Sequence, residues 1–271
     1  MRMFRLLVSL WFLVAAPSAF CAPCAPEDFE THVSGSDQCL LMRRFGPTEP
    51  ETMVVWLHGD VSSGGPANYH FALAQSAAAQ FAGARVLSIA LVRPGYPDGS
   101  GESSTVAPLR GGRTDHYTRE NLEEVGVAIE RLRARFKPKF VVAVGHSGGA
   151  ATTAVLLGLK PGLLDAAVLV ACPCELVAWR ANRPGARQWT ASENPHTWAD
   201  KVSAASQVIA LTGSKDDNTP PDLARGYVNA LQARGVDARF ALVPDESHNS
   251  AFRSPQVTKA LADLLAARPA P

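Results

Sequence analysis

Val141-Val142-Ala143-Val144-Gly145-His146-Ser147-Gly148-Gly149-Ala150 runs from an apolar, β-branched stretch into glycines set around one serine. The first half suits a strand buried in a parallel sheet, and Ala150 to Leu157 favours helix, so the serine sits at a strand-to-helix reversal. Such a turn leaves no room for a Cβ at Gly145 or Gly149. Ser147 would be lifted above the sheet edge as a nucleophile, and the N–H of Gly148, opening the helix, would face a developing oxyanion. A glycine-rich turn with an incidental serine is the competing reading, and the strand–turn–helix setting weighs against it.

Working outward, other apolar runs end in loops rich in polar residues and glycine. Thr52 to Leu57 empties into His58-Gly59-Asp60, where glycine lets the chain curl and present the backbone N–H of Asp60 as a second oxyanion donor. Arg85 to Leu91 leads into a loop over 92–103, Leu163 to Ala171 into Cys172-Pro173-Cys174, and Ser206 to Thr212 into Gly213-Ser214-Lys215-Asp216-Asp217. Arg239 to Val243 leads into a loop carrying His248. Helices are expected over Tyr69–Phe81, Thr118–Phe136, Asp222–Arg234 and Pro255–Ala267, and one or two edge strands over Thr31–Phe45. Alternation of strand and helix predicts an α/β fold with a mostly parallel sheet covered by helices on both faces.

With 46% hydrophobic and 19% charged residues, the 271-residue chain can fill one α/β domain. A formal charge of +1 offers no electrostatic pull toward nucleic acid. Residues 1–22 read as a signal peptide: Arg2 and Arg5, an apolar run from Leu6 to Ala16, then small residues up to Ala22. That run falls short of the roughly 20 residues a spanning helix needs, so no membrane span is expected in the mature chain. A lipoprotein anchor at Cys21 is the minor alternative, disfavoured by the bulky Phe20 before it. Residues 23–271 would then form a single domain, secreted or periplasmic, with 172–205 as a small cap or insertion that Trp179, Arg180, Trp189 and Trp198 could line. Export permits disulfides. Cys24 with Cys39 and Cys172 with Cys174 is the favoured pairing, the second weaker because its ring is so short, with free thiols or cross-pairing as its rivals. No cofactor or metal motif occurs, neither a dinucleotide fingerprint nor a P-loop nor zinc-finger spacing.

Ser147, then Asp216 or Asp217, then His248 thus fall just beyond the carboxyl ends of three of the expected strands, where open α/β sheets place their ligand crevice. His248 can take the serine proton and return it to a leaving group, while a carboxylate holds the imidazole in the right tautomer. His146 is the rival base; at the elbow its ring should point away from the hydroxyl, which makes it packing. His58 reads as an orienting or structural group.

The chain resembles the α/β-hydrolase superfamily from about residue 50 onward. The resemblance rests on His58-Gly59-Asp60, Arg93-Pro94-Gly95-Tyr96, Gly145-His146-Ser147-Gly148-Gly149, Gly213-Ser214-Lys215-Asp216 with Pro220, and His248. It implies Asp216 as the acid, three residues after the glycine and four before the proline, with Asp217 in reserve. Residues 192–248 also resemble dienelactone-hydrolase-like and prolyl-oligopeptidase-like catalytic domains, although the former carry a cysteine where Ser147 stands. The function expected is hydrolysis of a small carboxylic ester, or a short peptide or amide in the runner-up reading, through an acyl-enzyme. A non-catalytic hydrolase-fold binding protein is the alternative of a different class. Nothing in the sequence specifies an oligomeric state.

Overall fold

The computed structural model describes residues 24–104 and 116–268, apart from Pro26 and Ser63; the expected signal peptide lies outside the described residues. Eight strands form one sheet: β1 (His32–Ser34), β2 (Cys39–Phe45), β3 (Thr52–Leu57), β4 (Val86–Leu91), β5 (Phe140–His146), β6 (Ala166–Val170), β7 (Gln207–Gly213) and β8 (Asp237–Val243). Their spatial order is β1-β2-β4-β3-β5-β6-β7-β8. β1 and β2 pair antiparallel, β2 joins β4 antiparallel, and all pairs from β4 to β8 are parallel.

Strands β3 to β7 read as nearly continuous apolar runs because both their faces are covered, whereas the edge strand β8 is mostly exposed. Met53, Val55, Leu57, Val141, Ala143, Leu169 and Ala210 turn to one face. There they meet Val125, Ile129 and Leu132 of α2 (Arg119–Phe136), Ala150 and Ala154 of α3 (Gly148–Leu159), and Tyr227 and Leu231 of α5 (Pro221–Gln232). Val54, Trp56, Val142, Val144, Val168 and Leu211 turn to the other, against Ala74 and Ala77 of α1 (Phe71–Gln80) and Leu261 and Leu264 of α6 (Pro255–Ala267). Two-residue periodicity within each strand thereby builds two cores from one sheet.

After β3 the chain steps outward to β4, then crosses back over β3 to β5. Parallel pairing brings the carboxyl ends of β3, β4, β5, β7 and β8 to one edge. This is why residues as distant as 58 and 248 can share a site.

Between β6 and β7 lies a short helix, α4 (Leu176–Ala181), that the sequence reading did not include; six residues are too few to show a helical period. The Glu175 carboxylate caps it by accepting the N–H of Ala178. A 3-10 turn over Pro195–Lys201 presses the Trp198 backbone against α3, where a Cβ on Gly158 would stand 2.4 Å from the Trp198 carbonyl oxygen. Both favoured disulfides, Cys24–Cys39 and Cys172–Cys174, are present. No helix among the described residues is long and apolar enough to cross a membrane.

Candidate active site

Ser147 stands at the reversal between β5 and α3 with φ 50° and ψ −115°, backbone that costs a side-chain-bearing residue on the order of 1–3 kcal/mol. Its N–H donates to the Val170 carbonyl at 2.8 Å, and its carbonyl accepts from Ala151 at 2.9 Å, so neighbouring strand and helix both hold the strained conformation. The close approach that demands glycine is visible on either side. A Cβ on Gly145 would lie 2.4 Å from the Gly149 carbonyl oxygen, and one on Gly149 would lie 2.2 Å from that of Leu57.

The loops after β7 and β8 bring the two partners over the serine. His248 Nε2 is 3.0 Å from Ser147 Oγ, and Nδ1 is 3.0 Å from Asp216 Oδ2. Asp216 is buried and Asp217 exposed, which resolves the doublet in favour of Asp216. Backbone N–H groups of Asn218 and Thr219 donate to Asp216 Oδ1 at 3.0 and 2.8 Å, and the Thr219 hydroxyl lies 2.8 Å from Oδ2. Burial alone would raise the Asp216 carboxyl; bonding to His248 and Thr219 outweighs it and holds the group below the usual carboxylate range. With an ionised acceptor fixed on Nδ1, the free lone pair of His248 faces the serine.

Two other histidines crowd the site, and each has its ring nitrogens committed. His146 Nε2 donates to the His248 carbonyl at 3.0 Å, and Nδ1 accepts from the Tyr69 hydroxyl at 2.7 Å. Its ring stacks on Phe252, and burial pushes its pKa down to about 3. His146 is therefore a neutral structural strut rather than a base. His58 Nε2 accepts the N–H of Arg93 at 3.0 Å, which leaves Nδ1 to donate to the Gly59 carbonyl at 2.6 Å. Burial, aided by the Arg93 charge, holds it well below its ordinary value.

Asp60 follows directly, with its carboxylate against the turn at Gly148 and the preceding Gly59 packed on the serine. A Cβ on Gly148 would meet the Asp60 carboxylate at 2.1 Å, and one on Gly59 would come within 3.0 Å of Ser147 Cβ. Tyr69, Tyr117 and Thr219 also reach the site, and none of them belongs to the sequence motifs that mark it. Arg93 and Tyr96 entered it only as part of a family-like stretch. A buried tyrosine hydroxyl carries no sequence signature that separates it from an aromatic core residue. Among the described residues, no group of three or more His, Cys, Asp or Glu side chains converges as a metal site.

Residues 127–266, slightly more than half of the chain, match the prolyl oligopeptidase family. The chain belongs to that family. The matched stretch contains Ser147, Asp216 and His248 and excludes His58, Asp60 and Arg93. No curated protein matches the chain. Among solved structures it is similar to Est1E from Butyrivibrio proteoclasticus with ferulic acid bound, at 12% identity and a TM-score of 0.65 over 87% of this chain and 99% of that one. Rv0554 from Mycobacterium tuberculosis is 18% identical, with a TM-score of 0.63 over 88% and 100% of the two chains. An acylaminoacyl peptidase in complex with Z-Gly-Gly-Phe-chloromethyl ketone is 16% identical, with a TM-score of 0.65 over 88% of this chain but 41% of its own. At such identities the likeness is one of fold. Family membership together with the Ser147–His248–Asp216 geometry makes the protein a serine hydrolase of the α/β-hydrolase fold.

Proposed function

We propose that the protein hydrolyses a carboxylic ester through an acyl-enzyme, with Ser147 as nucleophile, His248 as general base and acid, and Asp216 as the carboxylate that orients it. The observation that carries this reading is the unbroken relay from Ser147 Oγ through the imidazole to Asp216, each step at 3.0 Å. Ser147 Oγ attacks the carbonyl carbon as its proton passes to His248 Nε2, and the carbonyl oxygen takes up the negative charge. N–H groups of Gly148 and Asp60 are assigned to that oxyanion, since Gly148 follows the serine and Gly59, just before Asp60, packs against the Ser147 side chain. His248 then protonates the departing alkoxide. Water attacks the acyl carbon with His248 accepting its proton, the acid leaves, and Ser147 recovers its hydrogen.

Family membership favours one second reading, the hydrolysis of a short peptide or amide at the same serine. The similarity to Est1E and to the acylaminoacyl peptidase is compatible with either leaving group. A nitrophenyl ester panel set against peptide anilides distinguishes them, with Ser147→Ala as control. A folded protein that fails to label with a fluorophosphonate at Ser147 overturns both and leaves a binding protein. Export to an oxidising compartment is part of the proposal; the basic and apolar leader motivates it, and two disulfides are in keeping with it. Mass analysis of the mature N-terminus in secreted fractions tests it.

A further inference from the structure

Arg93 is buried, 4% exposed, at the carboxyl end of β4, and its guanidinium spans the turn that holds Asp60. Nη2 donates to Asp60 Oδ1 at 2.7 Å and Nη1 to the His58 carbonyl at 3.2 Å, so both flanks of Gly59 are gripped by one side chain. The hydroxyl of Tyr117 donates to Asp60 Oδ2 at 2.8 Å, and the Tyr96 ring lies 4.9 Å from the guanidinium carbon. A Cβ on Gly148 would collide with both ions, 2.1 Å from Asp60 Oδ1 and 2.3 Å from Arg93 Nη1. The charge pair is therefore packed directly on the backbone assigned to the oxyanion.

A carboxylate in that place is unfavourable for the reaction. Negative charge develops on the substrate oxygen beside it, and in a partly buried site like charges repel far more strongly than in water. Arg93 is placed to cancel the effect. Burial alone would weaken its charge, but Tyr96 and Asp60 more than compensate and hold the guanidinium ionised.

We infer that Arg93 is a positioning residue of the reaction, whose guanidinium neutralises the Asp60 carboxylate so that the N–H groups of Asp60 and Gly148 present an uncompensated positive potential to the oxyanion. The inference rests on the mechanism proposed above. It carries an asymmetry that a purely structural ion pair lacks: removing Arg93 leaves an anion opposing the oxyanion, whereas removing the Asp60 charge leaves a cation that does not oppose it.

The test is a mutant cycle in the full chain, using a nitrophenyl ester and fluorophosphonate labelling. Arg93→Met is expected to lower kcat about 100-fold with KM changed only a few-fold, the scale of losing one oxyanion contact. Asp60→Asn alone should cost less than about tenfold, and the double variant should regain at least about tenfold over Arg93→Met, a coupling that independent sites do not show. A double variant no faster than Arg93→Met overturns the inference. Should Arg93→Met not fold, Arg93→Lys keeps the charge without the fork; it is expected to stay within about tenfold of wild-type kcat, and a loss of about 100-fold overturns the inference too. Wild-type protein that does not label at Ser147 instead removes the underlying mechanism, so the two failures are distinct.

Discussion

His146 donates from Nε2 to the main-chain carbonyl of His248 at 3.0 Å, so the residue preceding the nucleophile holds the backbone of the base. The same ring accepts from the Tyr69 hydroxyl, which in turn accepts the N–H of Gly59. The turn after β3, the elbow after β5 and the loop after β8 are thus joined by one directional chain of hydrogen bonds. Tyr69→Phe breaks it and leaves the Gly59 N–H without its partner, a loss of about 1–3 kcal/mol in unfolding free energy. Urea denaturation should show that loss, and ester kinetics should show a fall in kcat larger than any change in KM. Unaltered stability together with unaltered kcat would mean that the chain of bonds does not matter.

The adjacent carboxylates differ only in placement, and the expected phenotypes differ accordingly. Asp216→Asn replaces the acceptor on His248 Nδ1 with a side chain that can favour the wrong tautomer, so kcat should fall by roughly 10³- to 10⁴-fold. Asp217→Asn, at an exposed position, should stay within about twofold, as a surface change distant from the chemistry does. Steady-state rates on one ester decide the matter.

Stability should fall on acidification from neutral pH. Burial depresses His70 and His146 to about 3 and holds His58 well below its ordinary value. Well above pH 6.5 neither folded nor unfolded imidazoles bind protons, and these groups impose no penalty on the folded state. Below that, the unfolded chain takes up protons that the folded protein refuses, so unfolding free energy drops by up to about 1.4 kcal/mol per pH unit for each histidine. Asp216, with its folded pKa lowered, adds a loss of the same sign once pH falls below the unfolded carboxyl value. Urea titrations at pH 7.5, 6 and 5 measure the slope, and a flat profile contradicts the burial of these rings.

The two disulfides should contribute unequally. Cys24–Cys39 has a sequence separation of 15 and ties the amino-terminal segment to β2, which in the loop-entropy picture stabilises by about 3 kcal/mol. Cys172–Cys174 has a separation of 2 and restricts the unfolded chain much less. The melting temperature of Cys24→Ser/Cys39→Ser should therefore fall further than that of Cys172→Ser/Cys174→Ser. The reverse order would assign the second bridge a role in the native turn.

Sequence alone determined the α/β fold and where its reactive edge lies. Apolar runs such as Thr52–Leu57 and Val141–Val144 can be satisfied only by burial on both faces, and the glycines around Ser147 admit few backbones other than the elbow. Ser147 was legible because it ends such a run, and His248 because it lies in the loop just beyond the last expected strand, Arg239–Val243. Asp216 as the acid and His146 as packing were expected from the sequence and its family resemblance; tertiary structure alone supplied their partners, Thr219 and Tyr69, and set Arg93 against Asp60. Those outcomes depend on which way a side chain points at a loop and on which hydroxyl or amide waits there. Neighbours such as Tyr69 and Tyr117 reach the site from other parts of the chain, and local sequence pattern carries no record of a contact made across the fold.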